Sequence, residues 1–298
     1  MQVTRAARDL AEPCIDCAVG KQGRSKQPRA DTSESARTDE IGAVVSSDCA
    51  GKISPADRHG NRYFVNYIDH GSGYTAVFPI RKKSYQEKTA ALFINLFERQ
   101  FGVKVKTFRS DRGGEYRSAK FQSYLAQRGI AHQLTERHTS ASNGKSERMH
   151  RTLLNGARAM LFGSDLPANL WSYALRYQTY LRNRVPSKAN AEYKSPIEAL
   201  TGRTPAVNHI LAFGSVCTVH LPPKTKGIVR RAEVGRILGV NPVTKAYDIW
   251  VPRMASVVTS KDVQNIGPPR SPNKVYMDTL TDSFQRLTVT TPDKGVTK

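Results

Sequence analysis

The hydrophobic period of this chain changes in a set order, and that order restricts the folds open to it. Ala43-Val44-Val45 is a short apolar run leading to Asp48 and reads as a buried strand. Arg62 to Asp69 (RYFVNYID) and Tyr74 to Ile80 (YTAVFPI) are rich in aromatic and β-branched residues. Joined through Gly71-Ser72-Gly73, they predict a hairpin. The period then lengthens. Ser84 with Glu87 three residues on has the form of a capping box, and Ala90, Phe93, Leu96 and Phe97 make one helical stripe that stops near Gly102. Val103, Val105 and Phe108 lead as a strand into Asp111. A helix follows from Ser118, with Phe121, Tyr124 and Leu125 inward and Gly129 as its stop. A short strand (AHQL) enters a polar loop, Thr135 to Gly144, followed by helices from Lys145 to Phe162 and from Pro167 to Arg184. Three strands, a helix, a strand, a helix, a strand and more helices predict an α/β fold, a mixed sheet with helices on its faces.

Beyond residue 205 the pattern turns to short strands: Val216 to Leu221, Gly235 to Val240, Tyr247 to Val251 and Ser256 to Thr259. Asn241-Pro242 and the basic run Lys224 to Arg231 punctuate them, as in a small basic β-barrel or sandwich. The expected organisation is a Cys-containing piece (1–22), a basic linker (23–40), the α/β core (41–204), the β-rich domain (205–265) and a disordered tail (266–298).

Lys plus Arg number 46 against 25 Asp plus Glu, a formal net charge of +21. Such a surface calls for a polyanionic partner, although a ribosomal, histone-like or nuclease chain would share it. No stretch reaches the roughly 18 apolar residues of a membrane span, and the N-terminus has no secretory pattern, so an intracellular chain is expected. Cys14, Cys17, Cys49 and Cys217 are too scattered for a disulfide framework; Cys14 and Cys17 form a CxxC that supplies two of the four ligands a zinc site wants.

Asp48 and Asp111 fall at strand ends and Glu147 in the first turn of the long helix, with 35 residues between Asp111 and Glu147. A mixed sheet can bring two adjacent strand ends beside a helix start. Carboxylates about 5 Å apart repel by about 3 kcal/mol at an effective dielectric near 20, and a cation turns that cost into a site. Hard oxygen ligands suit Mg²⁺ or Mn²⁺, and two such ions can serve phosphodiester displacement. On the helix, Met149, Leu153, Ala157 and Met160 share an inward face, whereas Glu147, Arg151, Asn155 and Arg158 share another, with Arg148 beside them. Taken alone, Glu147 also reads as a helix-start acid favoured by the dipole and paired with Arg151.

With these positions placed, the sequence resembles integrases of copia-type long-terminal-repeat retrotransposons, from Cys14 to about Val263. The sharpest segments are TFRSDRGGEY around Asp111 and NGKSERMHRTLL around Glu147; SSDCAGKI, RYFVNYID, LPANLWSYAL, FGSVCTVHLP and GRILGVNPVTKAYDIWVP are weaker. The resemblance implies a ribonuclease-H-like core followed by a small β-barrel-like domain. It implies metal-dependent trimming of element DNA ends, then attack of their 3′-hydroxyls on target DNA in the nucleus. Asp48, Asp111 and Glu147 would hold two Mg²⁺ or Mn²⁺ ions. Asn143 and Gly144 would shape the loop entering the helix, and Lys145, Arg148, Arg151 and Arg158 would face DNA. The implied partners are double-stranded DNA and further copies of the chain, with no membrane.

The departures are also specific. A His-His-Cys-Cys zinc domain precedes the core in this family, but no His occurs here before His59. Two other functions therefore stand beside integration. One is a degenerate remnant that binds nucleic acid without catalysis. The other is a ribonuclease acting on RNA–DNA hybrids, which would draw a further carboxylate from Glu87 or Glu98.

Overall fold

The structure, a computed structural model, describes residues 40–111, 113–134, 144–221 and 231–267. The candidates Cys14, Cys17 and Asn143, the loop before the long helix, the tail, and nearly all of the Lys224 to Arg231 run lie outside them.

The first sheet takes its strands from β1 (Val44–Cys49), β2 (Tyr63–Asp69), β3 (Thr75–Ile80), β4 (Thr107–Ser110) and β5 (Ala131–Leu134). Their order is β3-β2-β1-β4-β5. β1, β2 and β3 run antiparallel as a meander, whereas β4 pairs parallel with both β1 and β5. The parallel pairs need crossovers, which are supplied by α1 (Gln86–Phe101) and α2 (Ala119–Gln127). Both helices cover one face, where Val45, Val65, Tyr67 and Phe108 of the sheet pack with Phe93, Phe97, Phe121 and Leu125. On the other face lie α3 (Gly144–Ser164) and α4 (Trp171–Arg182), contributing Leu153, Ala157, Trp171 and Leu175 around Phe64.

Two expectations about α1 need correction. Ser84 lies inside a 3₁₀ turn, Lys83–Tyr85, so the α-helix begins too late for its hydroxyl to cap it. Glu87 instead accepts a 2.5 Å hydrogen bond from Ser118, which also caps α2 by accepting from the Phe121 N–H. Leu96 is 49% exposed, and Ile94 takes the inward position that the stripe assigned to it. Gly102 ends the helix as expected, in the left-handed conformation at φ 67°.

The second sheet is wholly antiparallel, in the order β10-β6-β7-β8-β9. Its strands are β6 (Val216–His220), β7 (Ala232–Val240), β8 (Tyr247–Val251), β9 (Ser256–Ser260) and β10 (Val263–Gly267). The last was not legible and carries the domain two residues beyond its expected end. This sheet has its own small core of Cys217, Val219, Ile237, Ile249 and Val251. It is fastened to α4 by the Tyr177 hydroxyl, which donates to Leu211 O at 2.5 Å, and by Leu238 in the α3–α4 core. Arg58 reaches across to stack on Trp250 at 4.5 Å and to donate to Ala255 O.

Candidate active site

β1 carries alternate residues to opposite faces. Ser47 points to the α1–α2 side and meets the Tyr116 hydroxyl at 2.5 Å; Ser46 and Asp48 point to the α3 side. The β1–β4 register pairs Val44 with Thr107, Val45 with Phe108 and Ser46 with Arg109. The same offset carried two residues further brings Asp111, just past β4, beside Asp48. Neighbouring strands stand about 4.8 Å apart, so the two carboxylates share one edge. Asp111 shows the effect: desolvation raises its carboxyl above the usual range, the charges of Asp48 and Glu115 raise it further, and the Gly113 N–H and Lys83 oppose them.

Sequence reading missed Glu115. It lies on the 3₁₀ turn Gly114–Arg117, which Tyr116 anchors into the core. A Cβ on Gly113 would stand 3.0 Å from Asp111 Oδ1 and 3.1 Å from Glu115 Oε2, so the two carboxylates face each other across a glycine. The signal was present, four residues after Asp111 in TFRSDRGGEY. Lys83 was missed as well; it is the cation that opposes the negative charges at both Asp111 and Cys49. Burial is the main reason the Cys49 thiol is pushed up to about 12, which keeps it protonated beside the carboxylates.

The N-terminal turn of α3 docks onto β1 and β2. Ser146 and Ser46 share a 2.6 Å hydrogen bond between buried hydroxyls, and Asn66 donates to Ser146 O at 3.3 Å. His150, one turn on, meets Asp48 Oδ2 through Nδ1 at 3.2 Å. Lys145, expected to face DNA, is turned inward: its ammonium donates to His70 O at 2.7 Å, and burial lowers its pKa. Glu147, Arg148, Arg151 and Arg158 are all exposed. The structure thus pairs Asp48 with Asp111 and sets the helix of Glu147 against the strand of Asp48. Among the described residues, however, no three His, Cys, Asp or Glu side chains are gathered closely enough to hold a metal ion.

Asp48 and Asp111 fit a divalent cation as two of its ligands. They are crowded, negatively charged oxygens at one edge, and Asn66, directly across from Asp48, keeps a buried Oδ1 without a hydrogen-bond partner. The carboxylates weighed for hybrid cleavage are engaged elsewhere, Glu87 with Ser118 and Glu98 with Arg128 and the Val105 N–H.

The integrase core domain family matches residues 38–140, the span that carries both aspartates. The chain is 32% identical over 262 residues to the "Retrovirus-related Pol polyprotein from transposon TNT 1-94" of Nicotiana tabacum, covering 88% of this chain and 19% of that protein. The chain belongs to the retrotransposon integrase family. The "Retrovirus-related Pol polyprotein from transposon RE1" of Arabidopsis thaliana is 32% identical over 211 residues, covering 70% of this chain and 14% of the relative. The chain therefore spans about a fifth or less of the length of these relatives. A solved "simian T-cell lymphotropic virus intasome in complex with PP2A regulatory subunit B56 gamma" shares the fold, with a TM-score of 0.50 and 16% identity over 89% of this chain and 91% of that one. The family match and the shared fold support the ribonuclease-H-like α/β core. No helix among the described residues is long and apolar enough to cross a membrane.

Proposed function

We propose that this chain is the DNA-joining segment of its polyprotein, a polynucleotidyl transferase that trims element DNA ends and joins their 3′-hydroxyls to target DNA. The observation that carries this reading is the Asp48–Asp111 pair on adjacent parallel strands, beside the docked helix of Glu147. These three residues would hold Mg²⁺ or Mn²⁺, hard ions suited to carboxylate oxygens. Two such ions, when bound, supply activation of an attacking oxygen and stabilisation of a leaving one.

The chain's own residues orient the rest. The Cys49 N–H and His150 fix Asp48 in place, and the Gly113 N–H fixes Asp111. Lys83 offers a cation beside the carboxylates, and Arg148, Arg151 and Arg158 offer an exposed row to phosphates. Double-stranded DNA, from element and target, is the partner, in the nucleus. Assembly from several copies is part of the same reading, supported by the intasome whose fold the chain shares.

A strand-transfer assay on labelled oligonucleotide duplexes in Mg²⁺ or Mn²⁺ tests this. The full chain should give joined products, and Asp48→Asn, Asp111→Asn and Glu147→Gln should each abolish trimming and joining with the circular dichroism unchanged. Near-parent activity in Glu147→Gln would make that residue structural. A second reading, a nucleic-acid-binding remnant, draws support from the lack of a gathered three-ligand group among the described residues. Tight DNA binding with no product in either metal would establish it.

A further inference from the structure

Lys83 stands at the carboxylate edge on the α1 side of the sheet, opposite α3. Strand pairing sets Val65 across from Cys49 and Tyr63 across from Ile80, so the end of β1 lies beside the start of β2 and the end of β3. Cys49 and Tyr63 both face the α1–α2 core. The chain leaves β3 here and turns through Lys83–Tyr85. This turn lies against the second 3₁₀ turn, Gly114–Arg117, which carries Glu115. The hydrogen bond from Ser118 to Glu87 ties together the residues that follow the two turns.

The Lys83 ammonium lies 6.0 Å from the centre of the Tyr63 ring, which steadies its stem against the sheet. Its charge is felt at both Asp111 and Cys49. Even so, the side chain is exposed, and among the described residues its ammonium makes no ion pair and donates no hydrogen bond. Other cations of the core are spent on carboxylates, Lys106 on Glu40 and Arg128 on Glu98. Lys83 keeps its three donors for an incoming group. Across the edge, α3 presents Arg148 and Arg151, both exposed. A phosphodiester strand laid over Asp48 and Asp111 therefore meets a cation on each side of carboxylates that by themselves would repel it.

We propose that Lys83 is a DNA-binding residue whose ammonium holds one backbone phosphate of a strand end, next to the phosphate seated at the Asp48–Asp111 edge. A lysine suits this place as a compact point charge on a flexible stem, which follows a phosphate oxygen and reads no base. The contact also sets the path of the strand. It runs from Arg148 and Arg151 on α3, over the carboxylates, to Lys83 on the α1 side. One phosphate neutralised contributes about −0.9 to the slope of log affinity against log salt, so this contact is worth about 8-fold in affinity per tenfold change in salt.

Single methylphosphonates, each a neutral replacement for one phosphate, placed in turn along the end of a labelled duplex test this with the full chain. Fluorescence anisotropy gives the affinities. Lys83→Gln should weaken binding of the unmodified duplex about 8-fold at about 0.1 M salt and little at about 1 M. At one position near the end, the methylphosphonate should weaken the parent by that same factor and Lys83→Gln by less than about 2-fold. Lys83→Arg should follow the parent. Lys83→Met, which keeps the stem over Tyr63, should follow Lys83→Gln and replaces it should that variant melt early. Parent-like binding by Lys83→Gln, or the same loss in parent and variant at every position, would overturn the assignment. The inference rests on the DNA-joining reading, and the unmodified duplex separates the two. Joined products in Mg²⁺ or Mn²⁺ without a position-specific response would remove Lys83 and leave that reading standing. A position-specific response without any product would keep the Lys83 contact on a chain that binds DNA and does not join it.

Discussion

Ser46 and Ser146, a hundred residues apart in sequence, share a 2.6 Å hydrogen bond between two buried hydroxyls. Ser46 lies two residues before Asp48 on β1, and Ser146 immediately precedes Glu147 on α3. The bond therefore ties the strand of one proposed ligand to the helix turn of another. His70 also reaches the Ser46 hydroxyl through Nε2 at 2.9 Å, so that end of the contact has a second partner.

Ser146→Ala should cost about 1 kcal/mol, the net worth of one buried hydrogen bond. Ser46→Ala should cost more, because it strands the enclosed Ser146 hydroxyl, a penalty of roughly 1–3 kcal/mol. Urea denaturation of the two variants measures both. Equal costs would mean that Ser146 finds another acceptor once Ser46 is gone.

The order of strands and helices in the core was legible because each element carries its own period and its own stop. Gly102 and Gly129 both take positive φ at the helix ends they were expected to mark. Phase around a helix was less legible. The expected α1 stripe took Leu96, and only the position of the sheet selects Ile94 instead. The same limit hid Lys145 and His150. Both belong to the first turns of α3, and which of their neighbours point at β1 depends on how Ser146 docks. Glu115 was hidden for a different reason: a 3₁₀ turn anchored by Tyr116 returns it toward Asp111, and no periodic pattern encodes such a turn. β10 was missed because VQNIG shows no alternation of apolar and polar residues, and its pairing with β6 arises from the return of the chain.

Gly239 lies where the second sheet meets α4. Its φ of 135° belongs to glycine, and a Cβ there would stand 2.7 Å from Tyr177 Cδ2. Tyr177 is buried and its hydroxyl is held by Leu211 O, so the ring has little room to yield. Gly239→Ala should therefore destabilise the chain by roughly 2–4 kcal/mol, through backbone strain and overpacking together. A shift of less than about 0.5 kcal/mol in urea, below the range for such strain, would show that the sheet can slide on α4.

His132 links α2 to the strand end that carries Asp111. Gln122 donates one amide hydrogen to Tyr116 O, which fixes the amide's orientation, and the other to His132 Nδ1 at 2.7 Å. Nδ1 is therefore an acceptor, and the ring's hydrogen is on Nε2, 3.0 Å from the Ser110 hydroxyl. Burial lowers the pKa of this ring. A histidine held neutral in the fold stabilises it fully above the unfolded value, about 6.5. As pH falls below that value the unfolded chain takes up the proton first, so stability is lost down to the depressed folded pKa. The parent should lose stability between pH 7.5 and pH 5.5 more steeply than His132→Gln, in paired urea titrations. Parallel slopes would place the acid sensitivity in other histidines.

The exposed face of α3 should make DNA binding strongly salt-dependent and largely indifferent to sequence. Arg148, Arg151 and Arg158 are all exposed, whereas Lys145 is drawn inward to His70, so the row expected to meet phosphates is shorter by one cation. Each phosphate neutralised contributes about −0.9 to the slope of log affinity against log salt, and a footprint of about six contacts gives a slope near −5. Phosphate contacts fix register without reading bases, so unrelated duplexes should show the same slope. Arg148→Glu combined with Arg151→Glu should weaken binding to every duplex alike and flatten the slope by roughly 2. Lys145→Gln should leave the slope unchanged and lower thermal stability instead, because its ammonium bonds a backbone carbonyl. Fluorescence anisotropy at several salt concentrations distinguishes the two variants. A flattened slope in Lys145→Gln, or a flat response in the parent, would reassign the positive charge to another surface or another partner.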